Sequence, residues 1–298
     1  MTQGSSLRSR LAQPGIIIAP GAFDALSARV IQEAGAEVVY ATGAGFANSQ
    51  FAVPDVGLTT MTETVEHVRR IVAAVDIPVV VDADTGYGGP LNVMRTVREL
   101  ERAGAAAIQI EDQANPKRCG HFDRKAVVSA EEMVNRIQAA CEARQDPSVV
   151  IIARTDARLA EGLEAALERA QHYAAAGADL LFVEGPTTVE ELRRIPPAFS
   201  KGTVVNLVEG GVTPVVAASE LETMGFSLVI YANTALRVAA KAVQSAISAL
   251  LAAGTSVGLD DRMLSWDERQ RLVRFADHVD LDQRFATKPA EMPRGGTS

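Results

Sequence analysis

Eight short β-rich runs, each followed by a longer stretch of helical period, recur along the 298-residue chain, and this alternation restricts the fold more than any other feature. The runs fall at 16–19, 37–41, 78–82, 106–111, 149–153, 180–183, 203–206 and 228–231. Four helical stretches open on an S/T-x-x-E pattern, in which a hydroxyl and a carboxylate cap each other's backbone: Thr60 with Glu63, Ser129 with Glu132, Thr188 with Glu191, and Ser219 with Glu222. Gly35, Gly104, Gly177 and Gly225 stand just past a helical pattern and just before a run, where a left-handed C-cap favours a residue without a Cβ. Runs such as Pro78-Val79-Val80-Val81 show no polar alternation, so the strands are covered on both faces and read as parallel. Eight βα units in about 250 residues predict a TIM-type (β/α)8 barrel, a single domain over 1–298, with an open doubly wound sheet as the structural alternative. No G-x-G-x-x-G fingerprint follows the first run, which argues against a dinucleotide site. The segment 255–287, with Trp266 and Phe275, reads as a helical extension packed on the barrel or on a neighbour, and 288–298 has the composition of a tail.

Charge removes several function classes. Lys and Arg number 29 against 37 Asp and Glu, a net charge of −8 with no basic run longer than a pair, so nucleic acid is not an expected partner. An anionic substrate must then be drawn in by local cations or a metal. Cys119 and Cys141 are too few for a disulfide framework and fit a reducing compartment. The first apolar run is far shorter than a signal-peptide core of about 7–15 residues. The longest apolar stretch, 234–253, carries Arg237 and Lys241 and reads as an amphipathic helix rather than a membrane span. A cytoplasmic protein without membrane or nucleic-acid partners is the expectation.

In such a barrel the strand C-termini form the active-site mouth, so polar residues there are the functional candidates. Tyr40 and Thr42-Gly43 close the second run, Asp82 and Asp84 the third, Glu111 the fourth, Arg154 the fifth, Glu184 the sixth and Asn206 the seventh. Asp82 and Asp84 are two apart, which on extended backbone turns both carboxylates to one side, with Glu111 on the adjacent strand. Three close carboxylates repel one another unless a cation sits among them, and an all-oxygen set suits Mg2+ or Mn2+. The plainer alternative is strand-end aspartates that only cap loop amides. Lys117-Arg118-Cys119-Gly120-His121 lies in the long loop before the helix opened by Ser129. A thiol flanked by these cations has a lowered pKa and trades protons near neutral pH, and Gly120 offers a hinge for a closing loop. A basic surface loop that happens to hold a cysteine is the alternative, and Cys119 with His121 lacks a second ligand pair for zinc. Cys141 reads as a small core residue, His67 and His172 as solvated or packed, and Trp266 as a packing anchor.

Asp82-Ala83-Asp84-Thr85-Gly86, Glu111-Asp112-Gln113, the K-R-C-G-H loop and Ala153-Arg154-Thr155-Asp156-Ala157 together closely resemble the isocitrate lyase/phosphoenolpyruvate mutase superfamily over residues 10–285. The Cys loop resembles the carbon–carbon lyase branch. Within it, Asn206-Leu207-Val208-Glu209-Gly210-Gly211 with Thr213-Pro214 is more similar to the dimethylmalate lyase, oxaloacetate hydrolase and petal death protein group than to 2-methylisocitrate lyases, and true isocitrate lyases are much longer. The resemblance implies a barrel whose eighth helix is exchanged between subunits, in a homotetramer built as a dimer of dimers. It implies Mg2+ held mainly through water by Asp82, Asp84 and Glu111, with Asp55 in the outer network. Thr42, Gly43 and Ala44 would bind a substrate carboxylate, Arg154 would clamp it, Glu184 and Asn206 would line the far side, and Gly120 would belong to the closing loop. Cys119 would protonate the carbanion left by cleavage of a 2-hydroxy dicarboxylate, Lys117, Arg118 and His121 would offset its charge, and Tyr40 is a candidate base. The superfamily places Ser at Thr42 and commonly Gly at Ala44, so the added methyl groups narrow the pocket. Phe122 stands where 2-methylisocitrate lyases usually carry Arg, which favours a substituted malate over a tricarboxylate. Oxaloacetate hydrolase or decarboxylase and phosphonate mutase chemistry on the same scaffold are the competing expectations, with a non-catalytic dicarboxylate-binding barrel behind them.

Overall fold

The computed structural model describes residues 2–117 and 126–286. All eight runs become strands: β1 (Ile17–Ala22), β2 (Val39–Ala41), β3 (Val79–Asp82), β4 (Ala107–Glu111), β5 (Val150–Thr155), β6 (Leu180–Val183), β7 (Gly202–Asn206) and β8 (Leu228–Tyr231). They pair in parallel in chain order and close when β8 pairs with β1, which eliminates the open doubly wound sheet. The helices are α1 (Gln3–Leu11), α2 (Ala25–Glu33), α3 (Gly43–Phe51), α4 (Met61–Ala74), α5 (Pro90–Arg102), α6 (Ala130–Ala143), α7 (Ala157–Glu161), α8 (Leu163–Ala175), α9 (Val189–Arg194), α10 (Ala218–Met224), α11 (Thr234–Ala253), α12 (Trp266–Leu272) and α13 (Phe275–Phe285).

The strand pleat sorts the core into two layers. Residues of one parity, among them Tyr40, Val80, Ile152, Phe182, Val204 and Ile230, fill the barrel interior together with Leu7 of α1. The opposite parity, for example Val81, Ile108, Ile110, Ile151 and Val205, packs outward against the helices. Both layers are apolar apart from Gln109 on the inward side of β4, which is why the runs show no alternation.

The anticipated helix boundaries hold with one exception. Thr60 and Glu63 form a reciprocal box at α4, while Ser129 and Thr188 accept from the Glu132 and Glu191 backbones. Ser219 does not cap: α10 starts two residues earlier than such a cap would allow, Ala217 takes the N-cap position, and Ser219 falls inside the first turn. Gly35, Gly104, Gly177 and Gly225 all take φ between 94° and 113°, the left-handed region expected of them. Cys141 is half-buried at the edge of the core rather than inside it, with its thiol donating to the Gly177 carbonyl at 3.4 Å.

His67 of α4 is buried and stacks on Phe46 of α3, centroids 4.3 Å apart, and this contact seats α3 against α4. Desolvation pulls its pKa down to about 4. The unfolded chain, with an ordinary His, protonates as pH falls through about 6.5, and the folded chain resists until about 4. Stability is therefore lost on acidification, by about 2 kcal/mol between pH 7 and pH 5. His67→Phe is expected to flatten the pH dependence of the melting temperature over that interval; an unchanged slope would contradict it.

The chain separates into two compact units, Met1–Lys241, which contains the barrel, and Ala242–Ser298. In the second, Ser265 and Glu268 cap α12 reciprocally, and Trp266 is 68% exposed, touched by the Arg269 guanidinium at 4.1 Å. The packing role expected of Trp266 is thus not met among the described residues. By length and composition alone α11 could cross a membrane, with a mean hydropathy of 1.3, and it buries none of its side chains.

Candidate active site

The next inward position on successive strands, two residues beyond the interior apolar layer, is polar. Val80 is followed by Asp82, Ile152 by Arg154, Phe182 by Glu184 and Val204 by Asn206, and on β4 the polar positions begin one step lower, with Gln109 and then Glu111. The period of two that built the core thus delivers these side chains to the C-terminal mouth. Tyr40, Thr42, Ala44, Asp55, Asp82, Glu111, Lys117, Arg154, Glu184 and Asn206 line one cavity of about 30 Å3, room for an ion or a water or two. Every site candidate among the described residues lies at this mouth. Arg118, Cys119, Gly120 and His121 lie outside the described residues, as does Phe122.

Asp82 and Asp84 meet by a route other than strand alternation. β3 ends at Asp82, and Asp84 turns with φ +49°, so its backbone N–H donates to Asp82 Oδ1 at 3.2 Å. Aspartate tolerates the left-handed region better than most residues, and its occurrence beside a cavity is typical of a functional turn. Gln109 donates to the same Asp82 oxygen at 3.3 Å. Lys117 places Nζ 2.5 Å from Asp84 Oδ1 and also against Asp55. Burial works against this ammonium, yet Asp84, Asp55, Glu111 and Asp82 outweigh it and hold its pKa well above the usual value. Lys117 therefore belongs to the acidic corner as a permanent cation.

The α3 N-terminus faces this corner. Thr42 caps it by accepting from the Gly45 N–H at 3.1 Å. Gly43 leaves room for the carboxylates: a Cβ there would stand 3.0 Å from Asp82 Oδ2 and 3.5 Å from Asp84 Oδ1.

On the other side Arg154 is ringed by acids. Its guanidinium forks onto Asp156 at 2.9 and 3.0 Å, approaches Glu111 at 3.4 Å and Glu184 at 3.5 Å, and stacks over Phe182 at 5.2 Å. Asn206 Nδ2 donates to Glu184 at 3.5 Å. Burial drives Glu111 well above the normal carboxylate range, against the pull of Arg154, and its Oε1 is buried without a hydrogen bond. Tyr40 is held protonated by burial and by the Asp82 charge.

Sequence reasoning missed Asn233, which follows β8 and whose buried Oδ1 has no hydrogen-bond partner, together with Val208 and Ala232 on the cavity wall. The strand-end rule, extended two residues past the eighth run, would have found Asn233. It also left Asp156 and Gln109 without roles.

Residues 7–251 match the phosphoenolpyruvate phosphomutase family model. A 2,3-dimethylmalate lyase of Eubacterium barkeri is 44% identical over 96% of this chain and 99% of that protein. A probable 2-methylisocitrate lyase of Corynebacterium glutamicum is likewise 44% identical, over 96% and 93%. The crystal structure of a 2,3-dimethylmalate lyase, a PEP mutase/isocitrate lyase superfamily member, superposes with a TM-score of 0.91 at 37% identity, covering 100% of this chain and 99% of the other. With the barrel, the acidic mouth and these likenesses together, the chain belongs to the phosphoenolpyruvate phosphomutase family, within the isocitrate lyase/PEP mutase superfamily.

Proposed function

We propose that this protein is a Mg2+-dependent carbon–carbon lyase that cleaves a 2-hydroxy dicarboxylate, a substituted malate, into an α-keto acid and a carboxylic acid. The observation that carries the reading is the convergence of Asp55, Asp82 and Glu111 with Lys117 and Arg154 on one cavity at the barrel mouth. The relatives named above are lyases as well, one of them named for a substituted malate.

The donor set fits a divalent cation. Among the described residues six carboxyl groups, those of Asp55, Asp82, Asp84, Glu111, Asp156 and Glu184, surround two cations, Lys117 and Arg154. An anionic substrate cannot enter such a place unless more positive charge comes with it. The buried, unbonded Glu111 Oε1 is a hard-oxygen donor of the kind Mg2+ takes. No group of three His, Cys, Asp or Glu side chains among the described residues is close enough to hold an ion by direct ligation alone, and Mg2+ usually keeps several of its waters. Asp82, Asp84 and Glu111 would hold it, with Asp55 in the outer network. When bound it supplies positive charge to the substrate's α-oxygen and carboxylate; Mn2+ would serve similarly.

The α3 N-terminus, with the backbone of Gly43 and Ala44 and the Thr42 hydroxyl, receives a carboxylate, and Arg154 clamps the substrate from the opposite wall. Tyr40, a phenol rather than a phenolate, donates a hydrogen bond near the reacting hydroxyl, so the role of base passes to a neighbouring carboxylate. Loss of the hydroxyl proton drives scission of the C2–C3 bond, C2 becomes the keto carbon, and the electron pair stays on C3. Cys119 returns a proton to that carbon, with Lys117, Arg118 and His121 offsetting the charge. Gly43→Ala would crowd Asp82 and is expected to raise the Mg2+ concentration for half-activation by ~10-fold or more with little change in melting temperature. An unaltered Mg2+ requirement would remove the close approach from the scheme.

We place the chain in the cytoplasm as a homotetramer of helix-swapped pairs, with the C-terminal residues acting as an extension of one barrel domain. Two features support the helix swap. A groove of about 640 Å3 opens beside α2, lined by Phe23, Leu26, Val30, Tyr231 and Val238. The apolar side of α11, with Val238, Val243, Ile247 and Leu251, is exposed. Sedimentation velocity should give a tetramer; a monomer at micromolar concentration would contradict the swap.

A panel of 2,3-dimethylmalate, other alkylmalates, 2-methylisocitrate, oxaloacetate and phosphonopyruvate, followed by NMR, tests the activity. Keto acid and carboxylic acid from a substituted malate are expected. Acetate and oxalate from oxaloacetate alone, conversion of phosphonopyruvate alone, or binding without product would each replace this reading.

A further inference from the structure

We propose that Tyr173 and Asp112 are positioning residues for Arg154, acting through Asp156 from outside the barrel. The inference rests on the reading of Arg154 as the substrate clamp. Arg154 points inward from β5, and its plane is set by the two-point fork from Asp156, a completely buried residue. Asp156 occupies the N-cap of α7, yet its carboxylate makes no cap hydrogen bond and instead receives the Arg154 fork.

What holds Asp156 is Asp112. The Asp156 backbone N–H donates to Asp112 Oδ1 at 2.8 Å, and the Thr155 hydroxyl donates to Oδ2 at 2.7 Å. Asp112 has the outward parity of β4, next to inward Glu111, which is the register partner of Arg154. Its carboxylate therefore ties the ends of β4 and β5 together behind the clamp. On the outer side the Tyr173 hydroxyl, from α8, donates to Oδ2 at 2.8 Å, and Arg169 stands at 3.7 Å. Asp112 and Tyr173 are both fully buried.

Apolar side chains would pack β4 against α8 as well or better, since a buried carboxylate is costly to desolvate. A carboxylate that binds the Thr155 hydroxyl and the Asp156 N–H, the two groups next along the chain from Arg154, and is itself held by the Tyr173 hydroxyl is explained by orientation. Direction matters for a two-point clamp because a tilted guanidinium keeps its charge and loses one of its paired hydrogen bonds.

The test measures oxalate binding by calorimetry in the presence of MgCl2, and steady-state turnover of 2,3-dimethylmalate. Tyr173→Phe should weaken oxalate ~10-fold and raise KM in step, with kcat within about threefold, because the clamp acts on ground and transition states alike. Ala170→Gly, on the same buried face of α8, supplies a control of comparable destabilisation and should leave both constants unchanged. In an Arg154→Lys background Tyr173→Phe should add nothing further. Thr155→Val removes the other hydroxyl on Asp112 Oδ2 and should reproduce the effect should Tyr173→Phe fold poorly. Normal binding in Tyr173→Phe, or its full penalty persisting in Arg154→Lys, overturns the relay alone. Normal binding and KM in Arg154→Lys itself overturns the clamp reading as well.

Discussion

Asp84→Asn should abolish turnover, by about 10^4-fold or more, and with it any response to added Mg2+, while the barrel melts near the wild-type temperature. The substitution separates charge from shape. Asp84 sits at φ +49°, and asparagine enters the left-handed region as readily, so the turn after β3 is retained. What changes is the electrostatic balance. Lys117 now faces Asp55 with one carboxylate fewer, and the cavity loses one anionic donor beside Asp82. A hydrated divalent ion is held by the summed field of several carboxylates, so removing one weakens it steeply. Mn2+ binding followed by electron paramagnetic resonance reports the ion separately from catalysis and should fall in parallel. An Asp84→Asn protein that turns over at the wild-type rate in excess EDTA would contradict the metal assignment.

Cys119→Ser is expected to leave KM within about threefold and to lower kcat by about 10^3-fold. The serine hydroxyl has nearly the shape of the thiol but is a far weaker acid. Lys117, two residues earlier, lines the cavity as a permanent cation, and Arg118 and His121 flank the thiol in sequence. Such surroundings lower a thiol's pKa towards neutrality, where it both gives up and regains a proton readily. In the proposed scheme binding falls to other groups, the α3 N-terminus and Arg154, so the loss is expected in kcat. Wild-type kcat in Cys119→Ser would take the acid out of the scheme.

The sequence made the barrel legible because its signals agree at every level. The apolar runs gave strand number and order, and the glycines at 35, 104, 177 and 225 marked helix ends by their left-handed backbone. Ser219 misled because a capping pattern is a local signal, and the chain entering α10 reaches helical geometry before it. The site was legible where it obeys the strand period, as with Asp82, Glu111, Arg154, Glu184 and Asn206. Asp84 was anticipated for the wrong geometric reason, since the strand ends before it and a turn brings it back. The bond between Lys117 and Asp84 joins positions far apart in sequence, and no spacing rule reaches it. Asp112 was silent for a related reason. Its partners Thr155 and Tyr173 become neighbours only when β4, β5 and α8 have packed.

Incubating the enzyme with 2,3-dimethylmalate and Mg2+ in D2O, followed by NMR, tests the central claim most directly, since it reads bond cleavage, proton delivery and metal dependence together. The account predicts equal amounts of keto acid and carboxylic acid, one deuterium on the carbon that was C3, and complete arrest by excess EDTA. Cleavage that continues undiminished in EDTA, or a carboxylic acid product without deuterium at that carbon, would contradict it.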